Sequence, residues 1–434
     1  MAVVGLMIGA FTVPAAALAS APAEDAAPNC RGLKATIAGT SATLDFDSPL
    51  RGTSGDDVVV TNGASLVMTG AGNDTICVTT AHPDEVSGRW AVFPGTGDDV
   101  VDSSTLPREA YLSTDVGEGS DVVAGGPGTE HVDACRGWAP DTVSTAGGND
   151  WVRVCEKRSP DTVDTGEGDD TLLILEPQAP HGHLTAGSGA NTLILSGPWL
   201  LRTDMWAIDL AAKASTFNTA NVFTWDDASE VIVLGTSATL TVRGTNGRDD
   251  VRLFGDLLEG QPASRVTVDL VGGDDRLRVD VAALAAGSRM DAGMGRDLLG
   301  ASSSGRLEID LHDETIAGGR RTLPRSVAGF EDVRGQATRL TLTGNELNNT
   351  LRADACVAVA RGRGGDDDVT MGDRPWRRSW CPEGPRRAEG GLGNDRLAGG
   401  PDREHLTGGP GIDQVNGGGG VDVCLGERRI HCEA

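Results

Sequence analysis

Apolar and polar positions repeat with a nine-residue period near the end of the chain, between residues 390 and 425. This stretch divides without a gap into GGLGNDRLA, GGPDREHLT, GGPGIDQVN and GGGGVDVCL. The eighth position of each frame is apolar, and it holds Leu397, Leu406, Val415 and Cys424. Alternate residues of a strand face opposite sides. The pattern therefore predicts a short strand at positions seven to nine of each frame, with the eighth residue in a core.

The rest of each frame is suited to binding a cation. Glycines at positions one, two and four allow backbone angles that other residues avoid, so the chain can curl with its carbonyls turned inward. An acidic residue at position six adds a charged oxygen, and calcium takes six to eight oxygens. The second frame departs from the pattern, with Asp402 in place of the third glycine and Glu404 as its acid. The candidate calcium ligands of the block are Gly390, Gly391, Gly393, Asp395, Gly408, Gly409, Gly411, Asp413, Gly417, Gly418, Gly420 and Asp422.

Single copies of the same phrase occur through the rest of the chain, for example GTGDDVV and GEGDDTL. Glu130, Asn191 and Asn349 occupy the acidic position in variant copies. Any one copy could be a plain turn between strands, but the set is periodic and has an apolar residue two positions after the acid. The further candidate calcium ligands are Asp57, Asp74, Asp99, Asp121, Asp150, Asp170, Asp249, Asp275, Asp297 and Asp367.

The spacing of these acidic positions predicts the architecture. Positions 130, 150, 170 and 191 are separated by 20, 20 and 21 residues, whereas a roll of paired nonapeptides would repeat every 18. A step near 20 favours a coil of a parallel β-helix, with one glycine-rich loop on one edge and ordinary strands elsewhere. The motif-free stretches Ser196–Arg243 and Gly300–Thr343 are expected to be coils without the metal loop.

The tandem block closely resembles the RTX, or haemolysin-type, calcium-binding repeats. The resemblance implies a right-handed parallel β-roll in which calcium ions are held between neighbouring turns. Combined with the spacing, it predicts an all-β fold: a right-handed parallel β-helix or β-roll solenoid with Gly-Asp calcium loops stacked along one edge. The expected cofactor is Ca²⁺, with several ions bound.

The beginning of the sequence resembles an export signal. Met1 to Ala23 is uncharged and mostly apolar, and Ala17-Leu18-Ala19 is a small-x-small cleavage site. An uncleaved membrane anchor is the alternative for this segment, and no later stretch approaches the roughly 20 apolar residues of a spanning helix. We therefore expect a secreted, extracellular protein with no membrane span in the mature chain. The predicted organisation is a signal peptide at 1–19, an N-terminal cap at 20–50, coils at 51–355, a disulfide-pinned Arg/Trp loop and coil at 356–389, the tandem block at 390–425 and a C-terminal clasp at 426–434.

Charge limits the partners. The 434 residues include 37 basic and 63 acidic side chains, a formal charge of −26. Nucleic acid and anionic membrane surfaces are therefore excluded as expected partners, whereas cations are favoured. Aromatic residues make up only 4% and glycines number 61, which fits a thin, turn-rich fold.

Eight cysteines in an exported chain indicate disulfides, and the coil register chooses among the 105 possible connectivities. Cys135 and Cys155 each lie five residues after an acidic position and are 20 residues apart, so they occupy the same place on successive coils. Adjacent strands are about 4.8 Å apart, within the Cα range of a disulfide. Because a solenoid repeat contacts only its neighbours, we also predict the pairs Cys356–Cys381, Cys424–Cys432 and Cys30–Cys77.

Two function classes remain after a search for catalytic motifs. The sequence has no Gly-x-Ser-x-Gly, His-Glu-x-x-His or Gly-x-x-x-x-Gly-Lys motif. We expect a calcium-binding protein that is structural, adhesive or surface-binding and not an enzyme; the alternative is a β-helix polysaccharide lyase or epimerase. An extracellular glycan or cell-surface component is the expected partner besides calcium. The segment DRPWRRSWCPEGPRR is either a solvated loop or a grip for an anionic glycan, with Arg374, Trp376, Arg377, Arg378, Trp380, Arg386 and Arg387.

Overall fold

The structure is a computed structural model. It describes residues 28–40, 48–81, 87–155, 160–175, 182–196, 205–218, 220–226, 228–234, 239–254, 264–318, 321–372, 381 and 384–433. The predicted signal peptide, part of the predicted cap and residues 373–380 of the Arg/Trp segment lie outside the described residues.

The chain winds through two stacks of strands, and one large sheet of 39 strands contains both. We call the first stack column one. Its strands, in order along the stack, are Ile37–Ala38, Val58–Val60, Thr75–Cys77, Val100–Asp102, Val122–Ala124, Thr142–Ser144, Thr162–Asp164, Gly182–Thr185, Ala220–Asp226, Ala214–Phe217, Met205–Asp209, Thr239–Arg243, Arg265–Asp269, Arg289–Asp291, Arg321–Ala328, Thr315–Gly318, Arg306–Asp310, residues 339–343 and 357–361 of two long strands, Arg386–Leu392, His405–Thr407 and Val423–Leu425.

The second stack, column two, consists of parallel strands throughout. The long strands Asp332–Thr343 and Thr350–Gly364 contribute their first halves to column two and their second halves to column one. The column-two strands are Leu50–Arg51, Leu66–Ala71, Ser87–Thr96, Glu109–Asp115 with Gly117–Glu118, Thr129–Ala134, Trp151–Cys155, Thr171–Leu175, Thr192–Ser196, Glu230–Leu234, Asp250–Phe254, Arg276–Asp280, Leu298–Ser302, the two shared strands, Asp368–Met371, Arg396–Ala398, Gln414–Asn416 and Arg428–Ile430.

The chain alternates between the columns, so one strand from each makes a rung. In the tandem block Leu397 pairs with Val415 in column two, and Leu406 pairs with Cys424 in column one. Each pair is separated by 18 residues, which is the repeat of two nonapeptides. The same two-strand rung continues toward the N-terminus with longer steps. The expectation of an all-β solenoid with mostly parallel strands is therefore confirmed.

The core lies between the two columns. Most three-residue strands bury only their middle residue, as Val123 does in Val122–Ala124 and Val415 in Gln414–Asn416. These residues stack in register: Val143 pairs with Val123 and Val163 in neighbouring rungs. The four apolar positions of the tandem block, expected to be in the core, are all at most 2% exposed. Stacking of this kind buries apolar surface on every rung, which is the main favourable term for such short strands.

Both motif-free stretches differ from plain coils. Within Ser196–Arg243, three strands form an antiparallel meander in column one before the parallel pairing resumes. Within Gly300–Thr343 a second meander is built in the same way. In column two the strands of these stretches, such as Glu230–Leu234, stay parallel to their neighbours. Each stretch is thus a coil that carries an antiparallel insertion, a detail that the motif spacing did not predict.

Four disulfide bonds join Cys30 to Cys77, Cys135 to Cys155, Cys356 to Cys381 and Cys424 to Cys432, which are the pairs predicted from the coil register. Near the N-terminus a small antiparallel sheet of Asn29–Cys30 and Leu33–Lys34 lies outside the main sheet. The helical element of the described residues is the 3-10 helix Val281–Ala283. Over the described part of the chain, no helix has the length and apolar character needed to cross a membrane.

Candidate functional site

A buried acidic residue precedes six successive strands of column one, from Val58–Val60 to Thr162–Asp164. The backbone N–H of each of the first five donates a hydrogen bond of 2.7–2.9 Å to Oδ1 of the corresponding acid one rung later. We call such a series a carboxylate ladder, and its positions slots. The first ladder contains Asp57, Asp74, Asp99, Asp121, Asp141 and Asp161, none of them more than 5% exposed.

A second carboxylate ladder lies at the start of the strands of column two. Its hydrogen bonds from the N–H of one rung to the side-chain oxygen of the next measure 2.7–3.0 Å. The ladder has three segments, and its members are Glu130, Asp150, Asp170 and Asn191; Asp249, Asp275, Asp297 and Glu331; and Asn349, Asp367, Asp395, Asp413 and Glu427.

The tandem block contributes to both sides of the solenoid. Asp395 and Asp413 lie in the column-two ladder, whereas Glu404 and Asp422 form a separate ladder in front of column one. The N–H of Asp422 donates in turn to Oε2 of Glu433 at 2.7 Å. Successive nonapeptides therefore alternate between two edges. The expectation of a single edge was wrong, because each rung contains two strands and both are preceded by a glycine-rich turn.

Most interior slots have one carboxylate oxygen without a hydrogen-bond partner. Oδ1 of Asp413, for example, accepts from the Asp395 N–H, while its Oδ2 is buried and unpartnered within the described chain. Burying a polar atom without a partner costs free energy. Binding of a cation or a proton to these oxygens would therefore stabilise the folded chain. They are Oδ2 of Asp74, Asp99, Asp121, Asp150, Asp170, Asp275, Asp297, Asp367, Asp395, Asp413 and Asp422, and one residue that opens a ladder segment, Glu130, has an unpartnered Oε2 as well.

Burial raises the pKa of several of these carboxyls. Desolvation raises the pKa of Asp99 and Asp367 to about 7 and that of Asp121 and Asp275 to about 6. Neighbouring ladder carboxylates add to the rise for Asp99, through Asp121 and Asp74. The raised pKa values follow from burying the carboxylates away from water, which disfavours the charged form. A bound divalent ion would reverse this effect by favouring the ionised form.

Glycines make room for the unpartnered oxygens. A Cβ atom at Gly390 would lie 2.2 Å from Oδ2 of Asp395, and one at Gly408 would lie 2.2 Å from Oδ2 of Asp413. At Gly417 the distance to Oδ2 of Asp422 would be 2.8 Å. At Gly390 and Gly408 the carboxylate is the nearest group, so a glycine is needed there because the carboxylate folds over it.

The remaining candidate glycines pack backbone against backbone between rungs. A Cβ at Gly409 would lie 2.2 Å from the Gly391 carbonyl oxygen, and one at Gly411 would lie 1.7 Å from that of Gly393. These glycines, together with Gly418 and Gly420, have positive φ angles between 86° and 154°, which glycine adopts at no steric cost. They therefore allow the turns of successive rungs to stack directly.

The contacts of Asn191 show which groups lie beside the terminal side-chain atom that does not accept the ladder hydrogen bond. Its Nδ2 donates to the carbonyl oxygens of Ala186 at 2.6 Å and Gly187 at 3.2 Å. These carbonyls belong to the glycine turn that precedes the slot. An aspartate at such a slot has an acceptor where Asn191 has a donor. A cation between the aspartate carboxylate and the turn carbonyls would take the place of the two amide hydrogens that Asn191 provides.

Five residues open a ladder or a ladder segment: Asp57, Glu130, Asp249, Asn349 and Glu404. Each accepts a hydrogen bond from the backbone N–H four residues earlier, at 2.7 to 3.2 Å. Asp57 and Asp249 accept it at Oδ2, the oxygen that is unpartnered in the interior slots. Of the candidate calcium ligands, these two are therefore satisfied by their own loops and leave no unpartnered oxygen among the described residues.

The acidic pairs of the motif are explained by an outer series of hydrogen bonds. Oδ1 of Asp98 accepts from the Ser120 N–H at 2.9 Å, and Oδ1 of Asn394 accepts from the Ile412 N–H at 3.0 Å. Both lie one residue before a slot and are exposed. In these two pairs the first residue thus caps the next rung from the solvent side, while the second belongs to the buried ladder.

The sequence reasoning missed several ladder members. Asp141 and Asp161 lie in the column-one ladder, yet their turns have proline instead of the glycine phrase. The repeated PDTV at 20-residue spacing was the signal that could have found them. Burial raises the pKa of Asp141 to about 8 and that of Asp161 to about 7.

The Arg/Trp segment is only partly described. Arg386, grouped there with exposed glycan-binding candidates, is instead buried against Glu404. That part of the expectation was wrong, because column-one pairing draws Arg386 into a ladder slot. Arg387 is exposed, and the other arginines and both tryptophans lie outside the described residues.

Neither a cluster of metal-binding side chains nor a comparison with known proteins assigns a function to this site. The described residues contain no group of three or more His, Cys, Asp or Glu side chains arranged to hold a metal ion. A slot contributes at most one carboxylate, so any metal site here would depend on backbone oxygens as well. No protein-family model matches the chain, and no curated protein matches it.

Proposed function

We propose that this chain is a secreted calcium-binding β-solenoid whose bound ions stabilise its carboxylate ladders. The observation that carries the proposal is the set of buried carboxylate oxygens, present in most interior slots, that have no hydrogen-bond partner in the described chain. A protein that repeats such an arrangement on rung after rung would be strongly destabilised unless a ligand satisfied it.

The donor set favours a hard cation. Most interior slots supply a carboxylate oxygen beside a glycine turn, and Asn191 shows that turn carbonyls are within reach of the slot side chain. Hard oxygens from carboxylates and backbone carbonyls are the ligands that Ca²⁺ accepts, in flexible geometry. Mg²⁺ demands nearly ideal octahedral geometry and gives up its water reluctantly, which makes it the poorer match.

Charge and covalent structure support an extracellular role. A net charge of −26 would oppose folding by self-repulsion, and bound calcium would reduce it. Four disulfides are typical of proteins in oxidising compartments. The role that fits a long, metal-stiffened solenoid is structural, adhesive or surface-binding, with a glycan or cell-surface component as partner and no catalytic step.

The proposal is tested by titrating the full chain, freed of metal with EDTA, with CaCl₂ in a calorimeter and following far-UV circular dichroism. We expect several ions to bind, and the 390–425 block to gain β structure as they do, because a ligand that binds only the folded state stabilises it. MgCl₂ serves as the control and should give a weaker effect. Absence of calcium heat, together with spectra that EDTA leaves unchanged, would contradict the proposal. Unsaturated products from pectin or alginate would instead support the lyase alternative.

A further inference from the structure

A buried arginine occupies a ladder slot at the start of the tandem block. In column one Arg387 pairs with His405, so Arg386 holds the position that Glu404 holds one rung later. The side chains of Arg386 and Glu404 are 1% and 0% exposed, and Nε of Arg386 donates to Oε1 of Glu404 at 2.6 Å. A guanidinium group therefore lies where the other ladders place a carboxylate.

The guanidinium is surrounded by oxygens from three parts of the chain. Besides Glu404, its Nη1 donates to the carbonyl of Ala355, and its Nη2 donates to that of Gly372 at 2.6 Å. A Cβ at Gly400 would lie 3.2 Å from Nη2, so the glycine turn leaves room for the arginine. One carboxylate and two backbone carbonyls are the kinds of oxygen that a calcium ion would take from this rung.

The Glu404 carboxylate differs from its neighbours in being fully used. Its Oε2 accepts from the Gly400 N–H at 3.2 Å and its Oε1 accepts from Arg386. By contrast, Oδ2 of Asp395, Asp413 and Asp422 is unpartnered within the described residues. The frame with Glu404 is also the one that departs from the nonapeptide pattern, and the longer Glu side chain reaches the arginine.

We propose that the Arg386 guanidinium replaces the metal ion at the Glu404 rung, so that this rung is calcium-independent. The column-one side of the tandem block would then begin on a rung that is folded before calcium arrives, and the next rung of that column would bind an ion onto it. This inference rests on the proposed function, because that function places calcium ions at the other rungs. The ion pair between Arg386 and Glu404 does not depend on the proposed function. Arginine suits the role because its charge does not titrate and its planar fork satisfies several acceptors at once.

The test compares the full-length protein with the variants Arg386→Met and Arg387→Met. Arg387 is the matched control, since it is the next residue of the same strand and exposed. In EDTA we expect Arg386→Met to lower Tm by about 10 °C, because breaking a buried pair leaves an uncompensated charge. Calcium should recover most of that loss and bind with one more ion per chain than in Arg387→Met. An equal Tm loss with and without calcium, at unchanged stoichiometry, would overturn the inference.

A second variant keeps the test decisive if Arg386→Met does not fold. Glu404→Gln should leave the calcium stoichiometry at the wild-type value, whereas Asp413→Asn should lower it by one. Loss of an ion in Glu404→Gln would show that the rung binds metal in the native protein and would overturn the inference. If the wild-type protein binds no calcium, the proposed function fails, and the Arg386 pair is still tested by the Tm difference between Arg386→Met and Arg387→Met in EDTA.

Discussion

The backbone N–H of Asp395 donates a 2.9 Å hydrogen bond to Oδ1 of Asp413, one rung later, and this contact turns Oδ2 of Asp413 into a buried site without a partner in the described chain. The same contact recurs along both columns. The ladder bond thus fixes each carboxylate in place and leaves one oxygen free for a ligand. This arrangement would make the solenoid cation-dependent rung by rung.

Replacing Asp413 by Asn should separate folding from calcium binding. An amide supplies a donor toward the turn carbonyls, as Asn191 does, and removes a buried charge. We expect Asp413→Asn to stabilise the calcium-free protein by about 1–3 kcal/mol while losing one calcium ion. Thermal unfolding in EDTA and calorimetric titration measure the two effects. Asp368→Asn, an exposed change of the same charge in a nearby strand, is the control and should do neither; a destabilised calcium-free Asp413→Asn protein would contradict the prediction.

The stability of the calcium-free protein should fall as the pH rises from about 4 to about 7. Burial raises the pKa of Asp99 from 3.8 to about 7 and that of Glu130 from 4.5 to about 8. In this window the folded chain therefore binds more protons than the unfolded chain, and linkage lowers the unfolding free energy as pH increases. With calcium the trend should flatten or reverse, because metal ligands must be deprotonated.

Net negative charge would give a pH trend of the same sign, so the measurement needs a matched pair of variants. Asp98→Asn and Asp99→Asn change the charge equally, but only Asp99 is buried in the ladder. Tm measured in EDTA between pH 5 and pH 8 should vary less in Asp99→Asn than in Asp98→Asn. Equal slopes in the two variants would assign the trend to general repulsion instead of the ladder.

Most of the fold could be predicted from the repeat period of the sequence. Apolar residues two positions after each acid, such as Val123 and Leu397, mark the buried centre of nearly every short strand. The same period placed Cys135 opposite Cys155, whose Cα atoms are 4.7 Å apart. Local spacing sufficed because each rung of a solenoid contacts only its neighbours.

The features that the sequence did not predict depend on contacts between rungs. Asp161 has no glycine phrase, and its place in the ladder follows only from the hydrogen bond that it accepts from Asp141. Arg386 was grouped with exposed residues because its charge resembles that of its neighbours, whereas its burial depends on strand register. The division into two edges was missed because both edges use similar turns, and the acids of the two columns alternate along the chain.

Substituting Gly408 should show whether the first glycine of a frame is required by the carboxylate. A Cβ there would lie 2.2 Å from Oδ2 of Asp413, whereas at Gly419 the nearest atom would be 3.5 Å away. Neither glycine has a positive φ angle, so backbone strain does not separate the two. We expect Gly408→Ala to weaken calcium binding and destabilise the loaded protein by about 1–3 kcal/mol, as overpacking does. Gly419→Ala should change stability by less than about 0.5 kcal/mol, and similar losses in both variants would argue against the carboxylate contact.

The Cys135–Cys155 disulfide ties two successive rungs, and its removal should act mainly on the unfolded state. The bond closes a loop of 20 residues, for which chain entropy predicts a loss of about 3 kcal/mol in unfolding free energy. The double variant Cys135→Ser/Cys155→Ser should therefore unfold at lower temperature in both EDTA and calcium, with its calcium stoichiometry unchanged, because no ladder oxygen is altered. Non-reducing peptide mapping of the wild-type protein checks the premise. A Cys135 peptide linked to any cysteine other than Cys155, or found free, would show that the rung register is wrong and that the ladder assignments built on it fail as well.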